Sequence, residues 1–145
     1  MLFIWTFLFG FSIKIFVFLF NKSISALSAL KDEIIKTLDI NKALDIVSID
    51  LEGKSSVADF MIIASGTSSR HIQALSEQVF EKLKINGVNN CKIEGKDSND
   101  WKLVDGIDLV VHIFNPEKRK FYELEKMWSE LIPKEKLIIW KKYTL

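Results

Sequence analysis

The sequence is poor in the residues on which thiol and metal chemistry depend. Its 145 residues include one cysteine, Cys91, and two histidines, His71 and His112. A single cysteine excludes a disulfide within the chain and fits a reducing compartment. Set in the strand-like run "NCKIEG", it reads as a small inert hydrophobe. No two His or Cys residues stand at metal-ligand spacing, which argues against a zinc site. An excess of one charge is lacking too. Twenty basic and nineteen acidic residues give a formal net charge of +1, so no global basic field marks a nonspecific nucleic-acid binder. There is no internal repeat and no low-complexity linker after residue 25. A Gly-rich P-loop and a serine in a nucleophile elbow are also missing. What is there, 48% hydrophobic and 27% charged residues, suffices for one domain with a core and is too little for two.

The first twenty residues differ in kind from the rest. "MLFIWTFLFGFSIKIFVFLF" holds seven of the eleven phenylalanines and one charge, Lys14. Its length suits a membrane span of ~20 apolar residues. A mid-span lysine costs roughly 2.5–3.5 kcal/mol on insertion scales, which such a span tolerates. A secretory signal fits less well, because no basic residue precedes the apolar run. The region downstream reads as a complete soluble domain. Segment 1–22 is therefore expected to be upstream sequence read from a misplaced start, with a genuine anchor as the alternative. On this reading the cellular chain starts after Phe20, or carries the segment as a disordered piece separate from the domain. The expected organisation is the apolar segment 1–22, a domain over 23–131 and an apolar, basic tail over 132–145.

Periodicity gives the elements. From Ser25 to Asn41, Leu27, Leu30, Ile34 and Leu38 recur at helical spacing, with Lys31, Asp32 and Lys36 outside the stripe. "ALDIVSIDLEG" reads as a strand ended by Gly53. "DFMIIASG" is apolar on both faces, as a buried central strand is. The short connection "KSSVA" pairs these two antiparallel as a hairpin. "GTSSRHIQALSEQVFEKLKINGV" predicts a long helix, capped by Thr67 or Ser68, with Ile72, Leu75, Val79 and Leu83 buried and Gly87 as its stop. "CKIEG", "WKLVD" and "LVVHIF" predict three short strands, the last of them central. "NPEKRKFYELEKMWSEL" predicts one helix, with Asn115 as N-cap, Pro116 in first position and Glu117 in the first turn. Its inner face is expected to carry Phe121, Leu124, Trp128 and Leu131. The tail "KEKLIIWKKYTL" suits an edge strand or a short helix. The sum is an α/β fold: a single domain with a mixed β-sheet and packed helices.

The enzyme reading lacks ligands. "SGTSS" at a helix start imitates the Gly-Ser signal of nucleotidyltransferases. The strands that follow offer only Glu94, Asp105 and Asp108, with no Asp-x-Asp pair to bridge two metal ions. Backbone N–H groups at "GTSSR" could hold a phosphate, but every capped helix start offers them. His112 shares a strand face with Val110 and Phe114, and reads as a hydrogen-bonded structural histidine rather than a general base. His71 is expected on an exposed first helical turn. As a surface, the same region is richer. Trp101, Leu103 and Asp105 point to one face of a short strand. Arg119, Tyr122, Glu123 and Lys126 group on the polar side of the last helix. Trp, Tyr and Arg dominate protein–protein hot spots. Trp128, on the inner stripe, is expected to be core. Trp101 opens a strand between polar segments and suits partial exposure as well as burial.

Over roughly Ser25 to Glu130 the sequence resembles the ribosomal silencing factor family, RsfS or Iojap. The resemblance rests on "ALDIVSIDLEGKSSVADFMIIASGTSSRHIQAL", on Glu94–Gly95 and on "DWKLVDGIDLVVHIFNPEKRKFYELEKMW". It implies a nucleotidyltransferase-like fold without catalytic carboxylates, no enzymatic activity, no cofactor and no metal. It implies a cytoplasmic translation repressor that binds the large ribosomal subunit through ribosomal protein L-fourteen and blocks joining of the small subunit. A role in large-subunit biogenesis goes with it, and a homodimer is compatible. No small-molecule substrate and no membrane partner are expected. Carried over by motif, the partner-binding residues are Trp101, Leu103, Asp105, Arg119, Tyr122 and Glu125. His112 also matches a family position, with no role assigned. Lys102 departs from the family, standing where many members have an apolar residue, and this puts one detail of the contact in doubt. The alternatives are a nucleotide-handling enzyme on the same scaffold and a membrane-tethered regulator.

Overall fold

A computed structural model describes residues 2–141. Helix α1 (Leu2–Ile40) is followed by strands β1 (Leu44–Asp50) and β2 (Phe60–Ser65), helix α2 (Ser69–Ile85), and strands β3 (Lys92–Glu94), β4 (Trp101–Asp105) and β5 (Leu109–Phe114). Short helices α3 (Pro116–Tyr122) and α4 (Leu124–Ser129) then lead through a 3-10 turn to β6 (Leu137–Lys141). The six strands form one sheet in the order β3-β4-β5-β2-β1-β6. β2 and β5 run parallel, and every other neighbouring pair is antiparallel. The expected single-domain α/β fold with a mixed sheet is what the chain adopts, with the β1–β2 hairpin in place.

The sheet separates two apolar layers. On one face Ile34, Ile35 and Leu38 of α1 and Ile72, Leu75, Val79 and Leu83 of α2 pack on Ile46, Ile62, Val104, Val111 and Ile113. The α2 stripe is buried as its period requires, and the Ser68 side chain accepts from the His71 N–H to cap the helix. Gly66 stands before this cap because the chain turns tightly against α2: a Cβ there would lie 2.7 Å from Ile72 Cγ1. On the other face Val47, Ile49, Met61, Ile63, Val110, Phe114 and Ile132 form a second layer, with Trp101, Leu103, Leu124 and Trp128 partly buried against it.

Three expectations change. The helix expected from Ser25 begins far upstream, and α1 runs from Leu2 to Ile40 with no break at residue 22. The tail takes the edge-strand form, one of the two expected of it: β6 pairs with β1 and completes the sheet. The last helix is two helices. Glu123 adopts a left-handed conformation (φ +46°) and resets the helical register between α3 and α4. As a result Phe121 and Leu131, expected inside, are 79% and 63% exposed, whereas Leu124 and Trp128 still face the second layer. His71, expected on the surface, is partly buried and tied at both ring nitrogens. Its Nδ1 accepts from the Thr67 N–H (3.0 Å), and its Nε2 contacts the Asn41 carbonyl at 2.8 Å. It joins the start of α2 to the end of α1.

Candidate functional site

Strand β4 alternates strictly. Lys102 and Val104 are buried, and Trp101, Leu103 and Asp105 are half-buried on the opposite face. Register places these three across from Phe114, His112 and Val110 of β5. The Trp101 Nε1–H donates to His112 Nδ1 at 3.2 Å, which puts the imidazole proton on Nε2. Gly95, at φ +75°, makes room for the indole: a Cβ there would lie 2.8 Å from the Trp101 carbonyl oxygen and 3.0 Å from its ring.

From Trp101 an aromatic ladder crosses the sheet. Its ring centroid lies 6.2 Å from His112 and 6.5 Å from Phe114. Phe114 is 5.8 Å from Tyr122, which meets Phe121 edge-on at 5.4 Å. Trp101, His112, Phe114, Tyr122 and Leu124 line a cleft of about 220 Å³. Tyr122 and Phe121 are 56% and 79% exposed, so the ladder ends in an open aromatic edge. Large apolar groups exposed together are the usual sign of a binding surface.

Arg119 and Glu125 do different work from that edge. The Arg119 side chain donates through Nε and Nη2 to Glu125 Oε1, each at 2.6 Å, and through Nη1 to Ser65 Oγ at 2.9 Å. It is only 10% exposed. This guanidinium therefore fastens α3 to α4 and to the end of β2, and so holds Tyr122 in place. A larger cleft of about 600 Å³ lies beside it, lined among others by Asp45, Ser65, Lys120, Glu123 and Ile139. Of the six residues singled out from the sequence, the structure gathers Trp101, Leu103 and Tyr122 on one face. Asp105 is on the same strand face but at the far end of β4, where its carboxylate accepts from the Ile107 N–H (2.9 Å), and Arg119 and Glu125 form a clamp between α3, α4 and β2. Phe121 is the contributor that sequence reasoning missed. Only the break at Glu123 exposes it, and helical periodicity hides that break.

Lys102 is not part of this face. Its side chain points to the opposite side of β4, is 3% exposed, and donates from Nζ to the carbonyls of Gly95 and Lys96, both at 2.6 Å. Lys102 therefore serves the β3–β4 connection. Lys102→Met should lower stability by about 1–2 kcal/mol by leaving two carbonyls without their charged donor. Partner binding should not change. A urea titration reads the first effect, and a binding loss larger than threefold would return Lys102 to the docking surface.

Burial by its neighbours lowers the pKa of His112 from 6.5 to about 4. The folded state thus holds it neutral at pH 7, as the hydrogen bond accepted by Nδ1 requires. In the unfolded chain the ring binds a proton near pH 6.5, so acid favours unfolding. Its contribution is complete above about pH 6.5 and declines as pH falls toward 4, by roughly 2–3 kcal/mol once partial exposure is allowed for. Thermal unfolding midpoints should fall between pH 7 and 4.5, and His112→Gln should flatten that fall. An unchanged slope in the variant would assign the acid sensitivity to other groups. Among the described residues, no three His, Cys, Asp or Glu side chains are grouped to hold a metal ion.

The chain matches the family model described as "Ribosomal silencing factor during starvation" over residues 24–142. It is 46% identical over 93 residues to a Zymomonas mobilis protein named "Ribosomal silencing factor RsfS", covering 64% of this chain and 70% of that one. It is 38% identical over 101 residues to the mouse "Mitochondrial assembly of ribosomal large subunit protein 1", covering 68% of this chain and 44% of the mouse protein. A crystal structure of a Chromobacterium violaceum protein superimposes with a TM-score of 0.67 at 36% identity, over 73% of this chain and 88% of that one.

Proposed function

The chain belongs to the ribosomal silencing factor family, and on that premise we propose that it binds the large ribosomal subunit through ribosomal protein L-fourteen and blocks joining of the small subunit. The observation that carries this reading is the aromatic ladder from Trp101 to Phe121, which ends in an exposed edge on the sheet face away from α1 and α2. Trp and Tyr at the centre of such a surface supply most of the binding energy of protein interfaces. Asp105, at the end of β4, adds a carboxylate for a basic partner, and its contribution should weaken with salt. The name of the mouse relative points to the large subunit, and the family's name points to repression.

Occlusion is the mechanism: a domain seated at the subunit interface excludes the small subunit by volume and needs no turnover. A role in large-subunit maturation would use the same contact. Co-sedimentation tests the proposal. The chain should pellet with purified large subunits and not with small ones, and should reduce the yield of joined ribosomes on a sucrose gradient. Equal binding to both subunits, or normal joining with the chain bound, would refute it. Analytical ultracentrifugation of the free chain shows whether a second copy competes for the same face. Incubation with labelled nucleoside triphosphates and Mg²⁺ or Mn²⁺ should give no product. Turnover abolished by Asp105→Asn and Asp108→Asn would replace occlusion with a nucleotide-handling enzyme.

A further inference from the structure

A run of exposed apolar residues on the N-terminal half of α1 lies almost wholly before the family match and away from the ladder. Ile13, Ile15, Phe16, Val17, Phe18, Leu19, Phe20 and Ile24 are all exposed, as is every residue from 13 to 26. Residues 15–20 are six in succession. At about 100° per residue they point in every direction around the helix axis. Phe16 and Phe18, at 68% and 69% exposure, lie on different sides. A soluble amphipathic helix has one apolar stripe, as α1 itself has further on, where Ile34 and Leu38 are buried and Asp32 and Lys36 are exposed. A helix that is apolar all round needs an apolar medium on all sides, which a single protein partner lying along one face does not provide.

We propose that residues 2–20 of α1 span a lipid bilayer and hold the domain against its cytoplasmic face. The length fits: nineteen helical residues reach about 28 Å, against a hydrocarbon core of about 30 Å. Backbone satisfaction fits as well, since α1 is helical throughout and closes its own hydrogen bonds. Lys14 is the one charge in the span. It lies about 9 Å from the Phe20 end, where a flexible stem lets the ammonium reach toward the interface. Charge also sets the orientation. Lys22, Lys31 and Lys36 follow the span closely, whereas residues 1–13 contain no Lys or Arg. The excess of basic residues marks the domain side as cytoplasmic. The same helix continues without a break into the core on the α1–α2 face of the sheet, opposite the aromatic ladder. A tether on one face therefore leaves the other open. The anchor is the second of the two readings that the sequence of this segment allows, and it stands or falls independently of ribosome binding.

The test uses the full chain expressed in bacterial cells. Most of it should stay in the membrane pellet after alkaline carbonate extraction. The purified chain should float with vesicles of phosphatidylethanolamine and phosphatidylglycerol. In spheroplasts the domain should resist added protease until the membrane is opened. The double variant Phe16→Asp, Phe18→Asp should shift the pellet-to-supernatant ratio at least tenfold toward the supernatant, while the domain's thermal unfolding stays unchanged. Three results would overturn the proposal. One is extraction of the full chain by carbonate. Another is a soluble oligomer that the double variant dissociates, which would make a second copy the occupant. The third is an intact mass of the native protein that lacks residues 2–20.

Discussion

Trp101→Ala should weaken binding to large ribosomal subunits by roughly 30-fold or more while leaving a folded domain. A tryptophan at an interface buries ~150–250 Å². Truncating a central hot spot costs about 2 kcal/mol or more, which is that factor in affinity. The structure adds a stability cost. The indole packs on the second apolar layer and donates to His112. Full burial of a Trp would make the loss ~3–5 kcal/mol, and a half-buried one should lose about 1–3 kcal/mol. Binding must therefore be measured below the variant's unfolding transition. Trp101→Phe separates the two effects. It keeps most of the ring surface but leaves His112 Nδ1 without its donor, so it should lose about 1 kcal/mol of stability and little affinity. If Trp101→Ala binds subunits as the parent does, or unfolds altogether, the docking assignment of this face is wrong.

Arg119→Ala should destabilise the domain by about 2–4 kcal/mol. Its guanidinium makes three short contacts, two to Glu125 and one to Ser65, and both members of the ion pair are mostly buried. Removing one partner of a buried pair leaves the other charge desolvated and uncompensated, which typically costs ~3–5 kcal/mol. Partial exposure of Glu125 reduces that here. Arg119→Lys should rescue little, because an ammonium cannot reproduce the planar fork. Loss of the clamp frees α3 and α4, so subunit binding should fall as well, even though Arg119 does not line the aromatic cleft. Urea unfolding and co-sedimentation together check this. An Arg119→Ala chain within about 0.5 kcal/mol of the parent would show that α3 and α4 are held by apolar packing alone.

How much of this could be read in advance depended on the range of the interaction. Helix α2 was legible because its stripe, its Ser68 cap and its terminal stop lie within some twenty residues. Strand β5 was legible as central because it is apolar on both faces. The common face of Trp101, Leu103 and Asp105 followed from the two-residue period of a strand. The break at Glu123 was not legible. A left-handed glutamate has no local signal such as glycine, and without the break Phe121 falls on the buried stripe. The role of Arg119 was hidden for another reason: Ser65 lies 54 positions away, and only the β2–β5 pairing brings the end of that strand to α3.

The sequence by itself determined the α/β class, the caps and stripes of its best helix, the family, and a strand face carrying Trp101. Each of these rests on short-range periodicity or on a contiguous motif. The tertiary structure decided which groups meet. It turned Lys102 inward onto two carbonyls, tied His71 to the end of α1, made Arg119 and Glu125 a clamp, and linked Trp101 to Phe121 through rings from three elements. It also joined the apolar N-terminal run to the domain as one helix. The physical reason is that local propensity acts over a few residues, whereas side-chain pairing across a sheet is set by strand order and register, which the whole chain must satisfy at once.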